Sequence, residues 1–98
     1  MHDIKTFTKT PLKKLKNLYI GDKIELLTYK KDRKITIIKK DLDIYNVIED
    51  GFKYKEFDNV KFAELERLLK QLKSVEFPRS NKYFLKLVPQ NINTQLRI

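Results

Sequence analysis

Residues 23–40 read KIELLTYKKDRKITIIKK. Two stretches in this segment, 23–29 and 34–40, alternate with period two and are rich in β-branched side chains, the signature of half-buried strands. Lys30, Lys31, Asp32 and Arg33 form a polar turn between them, so the segment predicts a β-hairpin. Pairing Tyr29 with Lys34 sets a register. Ile24, Leu26, Thr28, Ile35 and Ile37 then share an apolar face that must be core. Glu25, Leu27, Tyr29, Lys34, Thr36, Ile38 and Lys40 share the other, a solvated face with apolar and aromatic groups set into it.

A second hairpin follows. Ile44–Glu49 and Phe52–Phe57 flank Asp50-Gly51, a pair favoured in type I′ turns. That register groups Tyr45, Val47, Phe52 and Tyr54, with Glu49 and Glu56 at the ends. Ile44, Asn46, Ile48, Lys53, Lys55 and Phe57 fall on the opposite side. Both faces are mixed in character, and at least one of Phe52 and Tyr54 is expected in the core.

Helical spacing marks the flanks. Thr10 can cap a helix that has Pro11 at its first position, Leu12, Leu15, Leu18 and Tyr19 on its apolar side, and Gly21 as a stop. This predicts a short helix over 11–19 with Lys13, Lys14 and Lys16 on its outer side. Over 60–75, Phe62, Leu65, Leu68, Leu69 and Leu72 form one stripe, capped by Asp58 or Asn59. Glu64 and Glu66 early and Arg67, Lys70 and Lys73 late suit the helix dipole. Pro78 blocks continuation. Lys82–Val88 reads as a final strand closed by Pro89. The expected fold is α+β: an antiparallel sheet of two hairpins plus a C-terminal strand, covered by one long amphipathic helix, with a short N-terminal helix. Residues 1–98 read as a single domain, with 1–9 a flexible arm, 10–89 the folded core and 90–98 a frayed tail.

Composition narrows the function. The 98-residue chain carries 22 Lys and Arg against 13 Asp and Glu, a net +9. The distribution is lopsided: +8 over residues 1–40 (twelve basic, four acidic), −5 over 41–66 (three and eight) and +6 over 67–98 (seven and one). Such a field points to a polyanion partner. Eighteen of the 22 are Lys, a bias that AT-rich coding also produces. There is no Cys and a single His, His2, which excludes thiolate chemistry and a nitrogen-rich zinc site. No apolar run approaches the roughly 20 residues of a membrane span, and no signal peptide is apparent. A cytoplasmic protein is expected, without a membrane and without a cofactor.

Catalytic constellations are sparse. The lone His sits beside the initiator Met, so no nucleophile triad is available. Asp41 and Asp43 could hold a divalent ion, but such a pair more commonly makes a polar turn. Asp32-Arg33-Lys34 has the Asp-x-Lys spacing of metal-dependent nucleases without a clear carboxylate partner. Gly21 and Gly51 are the only glycines, so there is no phosphate-cradling loop. No catalytic or metal residue is assigned.

Binding of single-stranded nucleic acid fits better. It needs a positive groove and aromatic side chains on which bases stack, each worth about 1–3 kcal/mol. Tyr29, Lys30, Lys31, Arg33, Lys34, Thr36 and Lys40 supply these groups on the first hairpin, and Phe52, Lys53, Tyr54 and Lys55 on the second. The expectation is a non-enzymatic binder of single strands, with DNA favoured and RNA possible. The alternative is a protein-interaction or assembly subunit docking through its sheet face. A third reading is a small nuclease using Asp32, Asp41 or Asp43. The basic N-terminal helix could also lie on an anionic membrane, but packing of Leu12 and Leu15 on the sheet is the better use of its apolar side.

The order of these elements resembles the positive-cofactor-four family of single-stranded-DNA-binding transcriptional coactivators. KIELLTYKKDRKITIIKK (23–40) is similar to that family's first two strands, and DIYNVIEDGFKYKEF (43–57) falls where its next two lie. NVKFAELERLLKQL (59–72) resembles its helix, with Phe62, Leu65 and Leu68 at matching positions. The stretch before the helix, Tyr54 to Asn59, lacks the family's glycine. The resemblance implies a homodimer that binds single strands with little sequence preference, with Tyr29, Lys30, Lys31, Arg33, Lys34 and Lys40 in contact.

Overall fold

The computed structural model describes residues 1–90. The tail expected at 90–98 falls outside them, except for Gln90. The elements are β1 (His2–Asp3), α1 (Thr10–Lys16), β2 (Lys23–Leu27), β3 (Lys34–Asp41), β4 (Ile44–Asp50), β5 (Tyr54–Val60), α2 (Phe62–Glu76) and β6 (Lys82–Val88), with a single 3₁₀ turn at Ile4–Thr6. Six strands form one antiparallel sheet in the order β1-β6-β2-β3-β4-β5. This is the α+β architecture expected from the sequence, and the sheet is open.

Both helices pack on one face. Ile24, Leu26, Ile35, Ile37 and Val47 from the sheet meet Leu65, Leu69 and Leu72 from α2 and Leu15 from α1, all buried. Burying each such side chain contributes about 1.5–3 kcal/mol. Phe62 and Leu68 complete the α2 stripe at its half-buried margin. No helix among the described residues is long and apolar enough to cross a membrane.

In the first hairpin Leu27, rather than Tyr29, pairs with Lys34. The slip is two residues, and because side chains alternate with period two, every residue paired in this ladder keeps its expected face. Tyr29 leaves the strand and enters the turn. The second hairpin slips by three: Asp50 pairs with Tyr54 and Val47 with Phe57. An odd slip exchanges faces. Lys55 and Phe57 therefore turn towards the helices, and Tyr54 and Glu56 turn away. Phe52 and Tyr54 are 69% and 63% exposed. Tyr45 is in the core and Phe57 packs half-buried against it, so neither predicted aromatic is buried. Gly51 lacks the positive φ of a type I′ turn, and Gly51, Phe52 and Lys53 form a three-residue loop.

The N-terminal segment is not a loose arm. His2 and Asp3 pair with Tyr83 and Lys82 of β6, and Phe7 is fully buried against Phe77 and Tyr83. Thr6 Oγ1 and Tyr83 Oη lie 2.9 Å apart.

α1 is shorter than expected. It starts at Thr10, one residue before Pro11, and ends at Lys16. Gly21, at φ 101°, turns the chain afterwards, and its N–H donates to the Lys39 carbonyl at 2.7 Å. α2 starts at Phe62 because β5 continues to Val60, past the predicted caps Asp58 and Asn59. Asn59 instead occupies a bulge at φ 56°, its N–H held by Asn46 Oδ1 at 3.1 Å. Lys61 is the N-cap. Its N–H donates to Glu64 Oε1 at 2.9 Å, and the Phe62 N–H donates to Asp43 Oδ1 at 3.0 Å.

Candidate nucleic-acid interface

Antiparallel connectivity brings the β2–β3 turn, the β4–β5 loop and the α2–β6 loop to one end of the sheet. Nine of the eleven predicted site residues meet there: Tyr29, Lys30, Lys31, Arg33, Lys34, Phe52, Lys53, Tyr54 and Lys55. Two do not. Lys40 is exposed at the opposite end of β3, beside a bulge between Lys39 and Asp41. Thr36 is only 5% exposed, lying mid-sheet between Glu25 and Ile48, and so offers little to a ligand.

Thr28 organises the first turn. Its buried hydroxyl donates to Asp32 Oδ1 at 2.8 Å and accepts the Arg33 N–H at 3.3 Å. The Thr28 bond holds the Asp32 carboxyl below its usual range. Lys31, at φ 61°, closes the turn with its N–H on the Thr28 carbonyl at 2.9 Å. The Tyr29 ring, 68% exposed, stacks on Phe84 at 6.2 Å with an interplanar angle of 21°. Lys31 Nζ lies over the same Phe84 ring, 5.0 Å from its centre.

Phe84 belongs to a row crossing the open face. The register places Phe84, Leu27, Lys34, Asp50 and Tyr54 side by side on five strands. Four strand spacings put Phe84 and Tyr54 about 19 Å apart. Lys34, between them, lies 3.8 Å from Glu25. The Tyr54 hydroxyl donates to Glu56 Oε2 at 2.6 Å, which raises its pKa. Sequence reasoning placed Phe84 in the last strand without assigning it a role. The usable signal was alternation: Tyr83 is buried, so Phe84 must face the other way.

The second loop is gathered around the Glu76 carboxylate at the end of α2. Oε1 accepts the Phe52 N–H at 2.6 Å, and Oε2 accepts the Lys53 N–H at 3.1 Å. Arg33 adds Nε at 3.9 Å from Oε1 and an Nη1–H donated to the Glu76 carbonyl at 3.2 Å. The same guanidinium stands over the exposed Phe52 ring at 5.7 Å. Glu49 reaches Glu76 from β4. Burial, then the adjoining Glu76, pushes its pKa up to about 7. Burial also acts on Glu76, but hydrogen bonds from Glu49, Phe52 and Lys53 outweigh it and hold that carboxyl below its usual range. The two neighbouring carboxyls are thus shifted in opposite directions, Glu49 up and Glu76 down.

Asp41 and Asp43 serve the β3–β4 turn and the start of α2, with Asp41 Oδ1 accepting the Leu42 N–H at 2.8 Å. They lie at the other end of β3 from Asp32. Among the described residues, no three His, Cys, Asp or Glu side chains group to hold a metal ion.

No family model, curated protein or solved structure matches this chain.

Proposed function

We propose that the turn end of the sheet binds single-stranded nucleic acid without catalysing a reaction on it. The observation that carries this reading is the gathering of exposed Tyr29, Phe52 and Tyr54 with Lys30, Lys31 and Lys53 on turns joined by one sheet. Bases stack on such rings, and the lysines reach phosphates along the same path. The likeness to single-stranded-DNA-binding coactivators favours DNA over RNA.

Fluorescence anisotropy against labelled single-stranded DNA, duplex DNA and RNA of equal length, at several salt concentrations, tests the reading. A K30A/K31A/K53A variant spares Arg33, which Glu76 needs as a counter-ion. If the three lysines contact phosphates, the slope of log affinity against log salt should become shallower by about 2. Unchanged affinity and slope would remove this surface from consideration.

An assembly subunit is the second reading. Among the described residues no helix covers the open face, where Leu27, Ile38, Ile48 and Val88 are half-buried. A dimer that persists at high salt and ignores nucleic acid would favour it.

A further inference from the structure

A cavity of about 730 Å³ opens between the β2–β3 turn and the α2–β6 loop. Lys30, Arg79, Ser80, Asn81 and Lys82 line it, with Tyr29 also on its wall. Its two acidic neighbours are already engaged. Asp32 is held by Thr28, and Glu76 by the loop amides and Arg33. Lys30, Arg79 and Lys82 have no carboxylate within ion-pair distance among the described residues. Three cations without a carboxylate at ion-pair distance therefore line one concave space, with hydroxyl and amide donors between them and an exposed aromatic ring beside them; the ionised Asp32 on the same wall is offset by the nearby charges of Arg33 and Lys30.

This chemistry suits a phosphomonoester. A phosphodiester inside a strand carries a single negative charge and needs chain to leave on both sides. A terminal phosphate carries about −1.5 to −2 at pH 7, offers three acceptor oxygens and needs only one entrance. Pockets of this size hold small ligands, and one nucleotide falls within that range. Tyr29, on the wall of the same cavity and exposed, offers a ring on which a base can stack. We propose that the cavity receives the phosphorylated end of a nucleic-acid strand, with Arg79, Lys82 and Lys30 on the phosphate and Tyr29 stacked on the terminal base. The proposal rests on the single-strand reading and assigns that surface a preference for strand ends. Arg79 and Lys82 lie outside both predicted hairpins and were not expected to take part.

The test compares one single-stranded sequence carrying a 5′-phosphate, a 3′-phosphate or only hydroxyl ends, by anisotropy with the full chain and with R79A/K82A. Both side chains are exposed, so the fold should tolerate their removal. A phosphate on one end should raise affinity about tenfold, as charge-assisted hydrogen bonds of this kind allow. The double variant should lose that gain while its affinity for the hydroxyl-ended strand changes by less than about threefold. If the hydroxyl-ended strand binds but phosphorylation adds nothing, or the gain survives in the variant, the end-binding assignment is overturned and the single-strand reading stands. If no strand binds, both fall. A free nucleoside monophosphate competing as well as the phosphorylated strand would overturn the assignment to a strand end.

Discussion

Glu76, the last residue of α2, accepts the backbone N–H of Phe52 at 2.6 Å, joining positions 24 residues apart. Its side chain is fully buried, and its other oxygen takes the Lys53 N–H. A helix end thereby sets the shape of a loop carrying an exposed aromatic and a cation. Charge-assisted bonds of this sort are about twice as strong as neutral ones.

Glu76→Ala should cost about 2–3 kcal/mol, since two loop amides lose their acceptor and Arg33 loses its counter-ion. Urea unfolding measures the loss, and the Phe52 and Lys53 amides should exchange with solvent faster. Unchanged exchange at both would mean that the carboxylate does not hold the loop.

Stability should fall between about pH 4.5 and 7. Glu49 titrates near 7 in the folded chain against a reference value of 4.5, so the folded state keeps a proton that the unfolded state releases in this window. The contribution is complete below the lower value and lost above the upper one. Glu76, with its lowered pKa, acts below 4.5 and in the opposite sense. Glu49→Gln can still donate to Glu76 and should flatten the fall in thermal midpoint between pH 5 and 8; an unaltered slope would assign the dependence elsewhere.

Gly51→Ala should destabilise by about 1–3 kcal/mol, the usual cost of overpacking. The reason is space rather than backbone angle: a methyl group there would clash with Glu76 Oε1 and lie 2.9 Å from Arg33 Cβ. Pairing the substitution with Glu76→Ala should recover part of the cost. Thermal melts of the single and double variants decide it, and a neutral single substitution would refute the packing account.

Phe7→Ala should cost about 3–5 kcal/mol by removing a fully buried ring from contact with Phe77 and Tyr83. Deleting residues 1–9 should be at least as damaging. Calorimetry would show otherwise if this segment were dispensable.

Tyr54→Ala should weaken single-strand binding by about 1–3 kcal/mol, the worth of one stacked base. Lys40→Ala, at the far end of β3, should leave affinity unchanged. Equal losses in the two anisotropy titrations would point to diffuse charge rather than a defined surface.

The alternation of residues 23–40 by itself determined which side of the first hairpin is core. A slip of two residues leaves that assignment intact, so Ile24, Leu26, Ile35 and Ile37 are buried as the sequence predicts. The α2 stripe and the strand at 82–88 were legible for the same reason: one apolar face, one period. The second hairpin was not, because both of its faces are mixed and its register depends on the loop. Asp50-Gly51 favours a two-residue turn locally, but the buried Glu76 carboxylate draws in the Phe52 and Lys53 amides, and the resulting odd slip sends Tyr54 outward and Phe57 inward. The basic character of the candidate site could be read from composition. Its location could not: Arg79, Lys82 and Phe84 join Tyr29 and Lys30 only because β6 pairs with β2, a contact between segments about sixty residues apart that no local pattern records.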